Sequence, residues 1–198
     1  MKFVLIDLET TGIDEEKNQI LELGAVIEDT NKKLPLHKLP MLRCIIKHDI
    51  YAGGAFAINM NKRIFEILSK AEGIRDEEQR AAFESENRIM TIDEAVMSFV
   101  QFIRMYYFEN GVKEPINIAG KNFPSFDKLF LDKVPAWKKN VKFERRFIDP
   151  AILFVDWKND KRLPSLDDCL KRAGIDREVQ HDAVQDCIDV LLCLRTRY

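Results

Sequence analysis

The sequence predicts an α/β layered domain in which a mixed sheet is flanked by helices. Three strand-like stretches, 3–6, 20–27 and 41–47, follow one another with short connections and predict an antiparallel meander. Helical patterns then alternate with two shorter strand-like stretches, 115–119 and 146–148. This order is typical of a five-stranded sheet with helices packed against it.

Capping patterns mark where several helices begin. A Ser, Thr or Asp followed three residues later by Glu, Asp or Gln is typical of a helix start. The chain has such pairs at Thr91 and Glu94, Ser165 and Asp168, and Asp182 and Gln185. From start and stop signals we predict helices over 59–72 or 61–72, from 92 to about Gly111, and over 124–133, 165–174 and 183–198. The charged stretch 75–88 is predicted to be a helical, solvated surface.

Composition limits the classes of function. A chain of 198 residues, 46% hydrophobic and 32% charged, fits one globular domain, 1–198. The formal net charge of −2 excludes a broad basic surface of the kind that grips long duplexes by their phosphates. The four cysteines form no CxxC pair and have no zinc spacing, which predicts reduced thiols in a cytoplasmic protein. We expect neither a signal peptide nor a membrane span.

Two carboxylates end the first strand. Residues two apart in a strand point to the same face, so Asp7 and Glu9 project together, roughly 7 Å apart along the chain. Thr10, Thr11 and Gly12 then form a turn. Two neighbouring acids repel each other, and a hard divalent cation such as Mg²⁺ or Mn²⁺ would relieve that repulsion. The alternative is a strand that runs into solvent with two surface acids.

A third carboxylate is predicted on an inward helix face. Phe123, Phe126 and Phe130 recur at helical intervals after the fourth strand, and Asp127 falls on the same side. A carboxylate on an apolar face needs a metal, a hydrogen-bond donor or a cation. The alternative to a metal is therefore an ion pair with a buried Lys or Arg.

The last helix supplies a histidine and a fourth carboxylate. Asp182 is predicted to cap the helix, which places His181 just outside it and Asp186 beside the apolar stripe. The alternative for His181 is a surface loop histidine. We assign Glu22 to a cross-strand ion pair in preference to the site, and Asp189 to the surface or to an ion pair.

These pieces together resemble the DEDDh family of 3′→5′ exonucleases, which includes proofreading exonuclease subunits, ribonuclease T and the oligoribonucleases. The likeness rests on the run from Asp7 to Gly12, on Asn122 with Phe126 and Asp127, and on His181 with Asp186 five residues later. The three motifs occur in the family's order and extend over the whole chain. The resemblance implies a ribonuclease H-like fold with a five-stranded mixed sheet.

The resemblance also implies roles for individual residues. It makes four acids the ligands of two divalent metal ions, Mg²⁺ or Mn²⁺, and it makes His181 the general base; these acids are Asp7, Glu9, Asp127 and Asp186. It implies that residues near the first two motifs hold the 3′-terminal nucleotide; the candidates are Thr10, Thr11, Asn61 and Phe123. The expected partner is nucleic acid with a free 3′ end, single-stranded by preference, and a homodimer is left open.

Two other functions fit parts of the pattern. A ribonuclease H-type endonuclease would share the fold, although the position of His181 five residues before Asp186 argues against it. A nucleic-acid-binding module that has lost catalysis would belong to a different class, but all four acids and the histidine are present. The sequence does not distinguish DNA, RNA and short oligonucleotides as substrates.

Overall fold

The computed structural model describes residues 1–108 and 114–198. Within these ranges six strands form one sheet in the order β4-β3-β2-β1-β5-β6. The strands are β1 (Lys2–Thr10), β2 (Ile20–Asp29), β3 (Met41–Ile46), β4 (Ile89–Met90), β5 (Ile116–Ala119) and β6 (Phe143–Ile148). The predicted mixed sheet is confirmed, whereas the predicted count of five strands is wrong.

The extra strand lies at one edge of the sheet. β4 contains two residues and pairs in parallel with the end of β3. So short a strand carries no alternation of its own, which is why the sequence pattern misses it. The opposite edge strand, β6, begins three residues before the predicted start at 146, and it includes two exposed arginines, Arg145 and Arg146.

The first three strands form the predicted meander. β1 pairs antiparallel with β2, and β2 pairs antiparallel with β3. β5 lies on the other side of β1 and runs parallel to it, as β6 does to β5. The carboxyl ends of β1, β5 and β6 therefore meet at the same edge of the sheet.

Helices cover both faces of this sheet. They are α1 (Ala55–Met60), α2 (Lys62–Gly73), α3 (Glu77–Glu86), α4 (Ile92–Tyr106), α5 (Asp127–Leu131), α6 (Pro135–Asn140), α7 (Ala151–Phe154), α8 (Leu166–Arg172) and α9 (Ala183–Arg195). In the two described ranges, none of these helices has the length and apolarity that a membrane span requires.

The capping signals are confirmed, whereas several predicted helix bounds are wrong. Thr91 and Ser165 begin α4 and α8 with complete capping boxes, and Asp182 caps α9. The predicted end of α4 at Gly111 lies outside the described residues. The predicted helix over 124–133 is divided into a 3-10 turn, Phe123–Ser125, and the short helix α5. The two elements are separate because Phe126 between them has non-helical backbone angles.

The two faces of β1 have different partners. Val4, Ile6 and Leu8 pack in the core cluster that contains residues of α4 and α6. Phe3 and Leu5 belong to a second cluster with residues of α9. Asp7 and Glu9 continue the odd-numbered series, so strand geometry directs them toward the face that α9 covers.

Gly24 in β2 allows α9 to approach the sheet closely. A Cβ atom at this position would lie 2.6 Å from the carbonyl oxygen of Ala183, the first residue of α9. The thiol of Cys187, one turn further along α9, contacts the Gly24 carbonyl oxygen at 3.7 Å. The backbone at the start of α9 therefore packs directly against the backbone of β2. This contact also fixes the position of Asp186, the fourth predicted carboxylate.

Replacing Gly24 with Ala is expected to lower the free energy of unfolding by about 1–3 kcal/mol, because the added methyl group overpacks a contact between two backbones. Urea unfolding followed by circular dichroism measures the change. Gly73→Ala is the matched control, since an added Cβ there meets no described atom within 4 Å. Equal stability of the two variants would contradict this account of the α9 contact.

Candidate active site

The end of β1 contributes the first two acids. Glu9 is buried and Asp7 is partly buried. In the β1–β2 register Glu9 lies directly opposite Glu22, so a third carboxylate is close to this strand end. Leu8, between the two acids, points into the core on the other side of the sheet.

Asp127 is held against the same strand end by a hydrogen bond. Its Oδ1 atom accepts from the Leu8 backbone amide at 2.9 Å, and its side chain is buried. The last β1–β5 pair joins Leu5 to Ala119, so the Leu8 amide extends beyond the partner strand. The Asp127 carboxylate therefore accepts the hydrogen bond from Leu8 that β5 no longer accepts. The sequence analysis did not identify this backbone amide as the partner of Asp127.

Asp186 and His181 come from the start of α9. Asp186 lies in the first turn and is buried, whereas His181 lies two residues before the helix and is exposed. The His181 backbone adopts the left-handed conformation, with φ of 52°. One ligand atom from each of Glu9, His181 and Asp186 lies within 4.8 Å of the other two. The fold thereby brings Glu9 next to His181, which is 172 positions away in the sequence.

Burial and mutual repulsion make these acids weak. Burial, together with the charges of Asp186 and Glu22, raises the pKa of Glu9 to about 8. Burial likewise raises the pKa of Asp127 to about 7 and that of Asp186 to about 7. The pKa of Asp7 is raised well above its ordinary value by burial and by the neighbouring carboxylates, Asp127 first. The acids behave as one electrostatic cluster.

Two arginines lie beside this cluster and hold the segment that follows His181. Arg63 of α2 donates to both oxygens of Glu22, at 2.8 and 2.7 Å. Arg43 of β3 bridges Glu22 and Asp182, the cap of α9. Glu22 also accepts from the amide of Ala183 at 3.1 Å. The predicted cross-strand ion pair of Glu22 is confirmed.

Arg63 is the partner that sequence analysis missed. It is 41 residues from Glu22 and 119 from Asp182, and it belongs to a helix that was predicted only from its start and stop signals. Its charge lowers the pKa of Glu9, against the larger effect of burial. Spacing along the chain carries no signal for a pair of this kind.

Three predicted nucleotide contacts brace the turn after Glu9. The Thr10 hydroxyl donates to the Gly12 carbonyl at 2.6 Å, and the Thr11 hydroxyl donates to the Ala52 carbonyl at 2.5 Å. Asn61 donates from Nδ2 to the Thr10 carbonyl at 3.1 Å and is buried. These side chains adjoin the acids and fix the backbone of the turn, while contact with a nucleotide stays a prediction.

Phe123, the fourth predicted contact, lies in the core. Its side chain is fully buried, and its ring packs against the rings of Phe147 and Phe143, with centroids 5.3 and 6.5 Å away. A base would stack on Phe123 only if these rings moved. The apolar spacing of Phe123, which predicted an inward position, agrees with this packing, whereas its contact with a nucleotide was implied only by the family resemblance.

Comparison with known proteins agrees with this arrangement. A family model named RNase_T and described as Exonuclease matches residues 4–192. The match contains both ends of the cluster, from Asp7 to Asp186. None of the curated protein sequences compared with the chain matches it significantly.

Solved structures with a similar fold include nucleases. Cell-death related nuclease 4 (CRN-4) superposes with a TM-score of 0.62 at 13% identity, over 98% of this chain and 62% of that one. E. coli exonuclease I in complex with a dT13 oligonucleotide gives 0.57 at 18% identity, over 99% and 41%. Exonuclease I of Methylocaldum szegediense gives 0.59 at 15% identity, over 99% and 40%.

At these identities the structural likeness establishes the fold, and the chain spans less than two thirds of the length of each of these neighbours. The sequence match covers nearly the entire chain and includes every acid of the cluster. The ribonuclease H-like fold is therefore confirmed, and the chain belongs to the RNase_T family of exonucleases.

Proposed function

We propose that this chain is a metal-dependent 3′→5′ exonuclease that releases nucleoside 5′-monophosphates from single-stranded nucleic acid. The observation that carries the proposal is the convergence of Glu9, His181 and Asp186 within 4.8 Å at the strand end that also bears Asp7. Membership of an exonuclease family supports the reaction class. We further propose that residues 1–198 form one exonuclease domain.

The acids fit divalent cations. The Oδ1 atom of Asp186 is buried and has no hydrogen-bond partner among the described residues. Oxygen ligands suit Mg²⁺ and Mn²⁺, and positive charge would relieve the repulsion that raises the pKa values of the cluster. In this proposal two such ions are held by four carboxylates, those of Asp7, Glu9, Asp127 and Asp186. The form of E. coli exonuclease I that holds a zinc ion shows that a protein of this fold can take a divalent metal.

The chemistry follows from the residues around the ions. When bound, two divalent ions would activate a water molecule and stabilise the leaving 3′ oxygen. A ring nitrogen of His181, on an exposed side chain, accepts the proton that the attacking water loses. Asp182, held by Arg43 and Arg63, fixes the backbone next to that imidazole.

The terminal nucleotide is proposed to bind beside the turn that Thr10, Thr11 and Asn61 brace. A nucleotide site beside this turn and next to bound ions would hold a chain end and not a continuous strand. E. coli exonuclease I was crystallised with a dT13 oligonucleotide, which supports a single strand as the substrate here. The net charge of −2 gives no general excess of cations for phosphate contacts, and the one dense basic run is 138–146. The cytoplasmic location remains part of the proposal.

The first prediction concerns the metal-free protein. Carboxyl groups whose pKa values rise to about 7 or 8 on folding keep their protons in the native state after the unfolded chain has lost them. Stability should therefore fall as pH rises from about 4 to about 8. In excess chelator, thermal unfolding should show this slope for the wild type and a shallower slope for Asp186→Asn.

Metal addition tests the same cluster. At pH 8, Mg²⁺ or Mn²⁺ should raise the Tm of the wild type, because the ions bind the native state only. The Tm of Asp186→Asn should respond much less, and Zn²⁺ should be included because imidazole also suits it. A Tm independent of pH and of metal in the wild type would contradict the proposed ion site.

The second prediction concerns His181. His181→Ala should lower the rate of hydrolysis by roughly 10²–10⁴, the usual contribution of a general base, with little change in metal affinity. His37→Ala is the control, because His37 is also exposed but lies in the 3-10 turn Leu36–Lys38. If both variants retain the wild-type rate, His181 is a surface loop histidine.

The third prediction concerns polarity and tests the proposed function as a whole. Oligonucleotides labelled at the 5′ end should shorten one residue at a time from a free 3′-OH, with weak sequence preference and a shallow salt dependence. A 3′-phosphate should block the reaction, whereas a blocked 5′ end should not. Asp7→Asn, purified in parallel, controls for contaminating nucleases.

Other outcomes would support the competing functions. Cleavage of a circular single strand would indicate an endonuclease. Binding of oligonucleotides without hydrolysis under Mg²⁺ or Mn²⁺ would indicate a non-catalytic binding module. Digestion from the 5′ end would contradict the proposed polarity.

A further inference from the structure

The segment that carries His181 connects α8 to α9 without regular secondary structure. It begins at Gly174, with φ of 71°, and it ends at Asp182. His181 itself is held in the left-handed conformation, which costs a residue with a Cβ atom about 1 kcal/mol or more. Such a conformation persists only where the surroundings fix it.

Asp189 reaches this segment from α9. Its side chain is fully buried, and its Oδ1 atom accepts from Gln185 Nε2 at 3.1 Å and lies 3.2 Å from Arg177 Nη1. Its Oδ2 atom is buried without a hydrogen-bond partner in the described part of the chain. Of the two predictions for Asp189, the ion pair is confirmed and the surface position is wrong.

Stability alone does not account for this ion pair. The Asp189 carboxylate is fully buried, whereas the Arg177 side chain is partly exposed. Replacing an ion pair that requires a charge to leave water with apolar side chains of similar volume is often neutral or stabilising. The incompletely satisfied carboxylate of Asp189 adds to that cost. What the pair supplies is a fixed link between the irregular segment and the second turn of α9, three residues beyond Asp186.

His181 lies between this link and a second one. Four residues before it, Arg177 joins the segment to Asp189; immediately after it, Asp182 is joined to Arg43 and Arg63. The amide of Val179 also lies 3.4 Å from Asp167 Oδ1 of α8. The imidazole therefore projects from a short stretch that is attached at both ends to different elements.

We propose that Arg177 and Asp189 are positioning residues for His181. Their ion pair holds the 177–182 segment so that the imidazole stays within reach of Glu9 and Asp186. Neither side chain is assigned to the metal or to the substrate, and both act through the backbone that they fix. The proposal deepens the proposed function and rests on His181 acting in it.

The experiment compares four variants. Arg177→Gln and Asp189→Asn break the pair, while Arg177→Lys keeps a cation. Arg195→Gln is the matched control, because Arg195 on the same helix pairs with Glu28, whose carboxylate is also fully buried with one unpartnered oxygen among the described residues. That pair is remote from His181 in sequence and joins α9 to β2.

Two measurements are made on each variant. The first is kcat and KM on a 3′-hydroxyl oligonucleotide with Mg²⁺ or Mn²⁺. The second is hydrogen exchange of the peptide spanning 175–182. Arg177→Gln and Asp189→Asn should lower kcat by about 10- to 100-fold with KM within about threefold, since a base displaced by about 1 Å loses rate at that scale. Exchange in 175–182 should rise at least about tenfold.

The control variants separate positioning from stability. Arg195→Gln should lower Tm while kcat and the exchange of 175–182 stay at wild-type values, and Arg177→Lys should recover most of kcat. Unchanged exchange in Arg177→Gln, or faster exchange with unchanged kcat, would overturn the proposal. If the wild type hydrolyses no oligonucleotide, the proposed function fails, while the exchange measurement still decides whether the pair holds the segment.

Discussion

Repulsion among four carboxylates, gathered where β1 ends, is the constraint on which this structure depends. Each acid is at least partly removed from water, and burial raises the pKa of all four. Neighbouring acids of the cluster add to the effect of burial at Asp7 and Glu9. An arrangement of this kind forms only if the surrounding fold supplies the missing free energy. The apolar contacts of β1 and α9 with the rest of the core supply it, because they hold the strand end and the helix start together.

The cations near the site are distributed unevenly. Arg43 and Arg63 pair with Glu22 and Asp182, the acids that connect strands and helices, and not with the acids predicted to bind metal. The structural acids are thus neutralised within the protein. Asp186 keeps a buried oxygen without a partner among the described residues, so the site is left short of positive charge. A metal-binding site needs both sets of acids: one set paired with cations of the protein, and another set left free to bind the metal.

Local signals in the sequence were sufficient for the strand that carries Asp7 and Glu9 and for the starts of three helices, one of which carries Asp186. The local signals are the continuous apolar run of β1, the capping boxes at Thr91 and Ser165, and the cap at Asp182. Each of them involves residues within a few positions of one another. These features depend on short-range geometry, and such geometry is visible in spacing. The family resemblance then placed the acids in one cluster.

Contacts between residues far apart in the sequence could not be predicted from local spacing. β4 exists because two residues meet the end of β3, and Arg63 meets Glu22 across 41 residues. Phe123 was assigned a nucleotide contact from the family resemblance, yet rings of β6 pack against it. In each case the determining partner is distant in sequence, so composition and periodicity carry no trace of it.

The separation of the site residues has a consequence for synthesis of the protein. Asp7 and Glu9 belong to the first strand, whereas Asp186 belongs to the last helix and His181 precedes that helix by two residues. Chains emerge from the ribosome from the amino terminus at about 5–20 residues per second. About 170 residues separate β1 from α9, so α9 is synthesised roughly ten seconds or more after β1. Throughout that interval the nascent chain has no assembled cluster, so the acids of β1 do not meet the repulsion of Asp186 until α9 has been made.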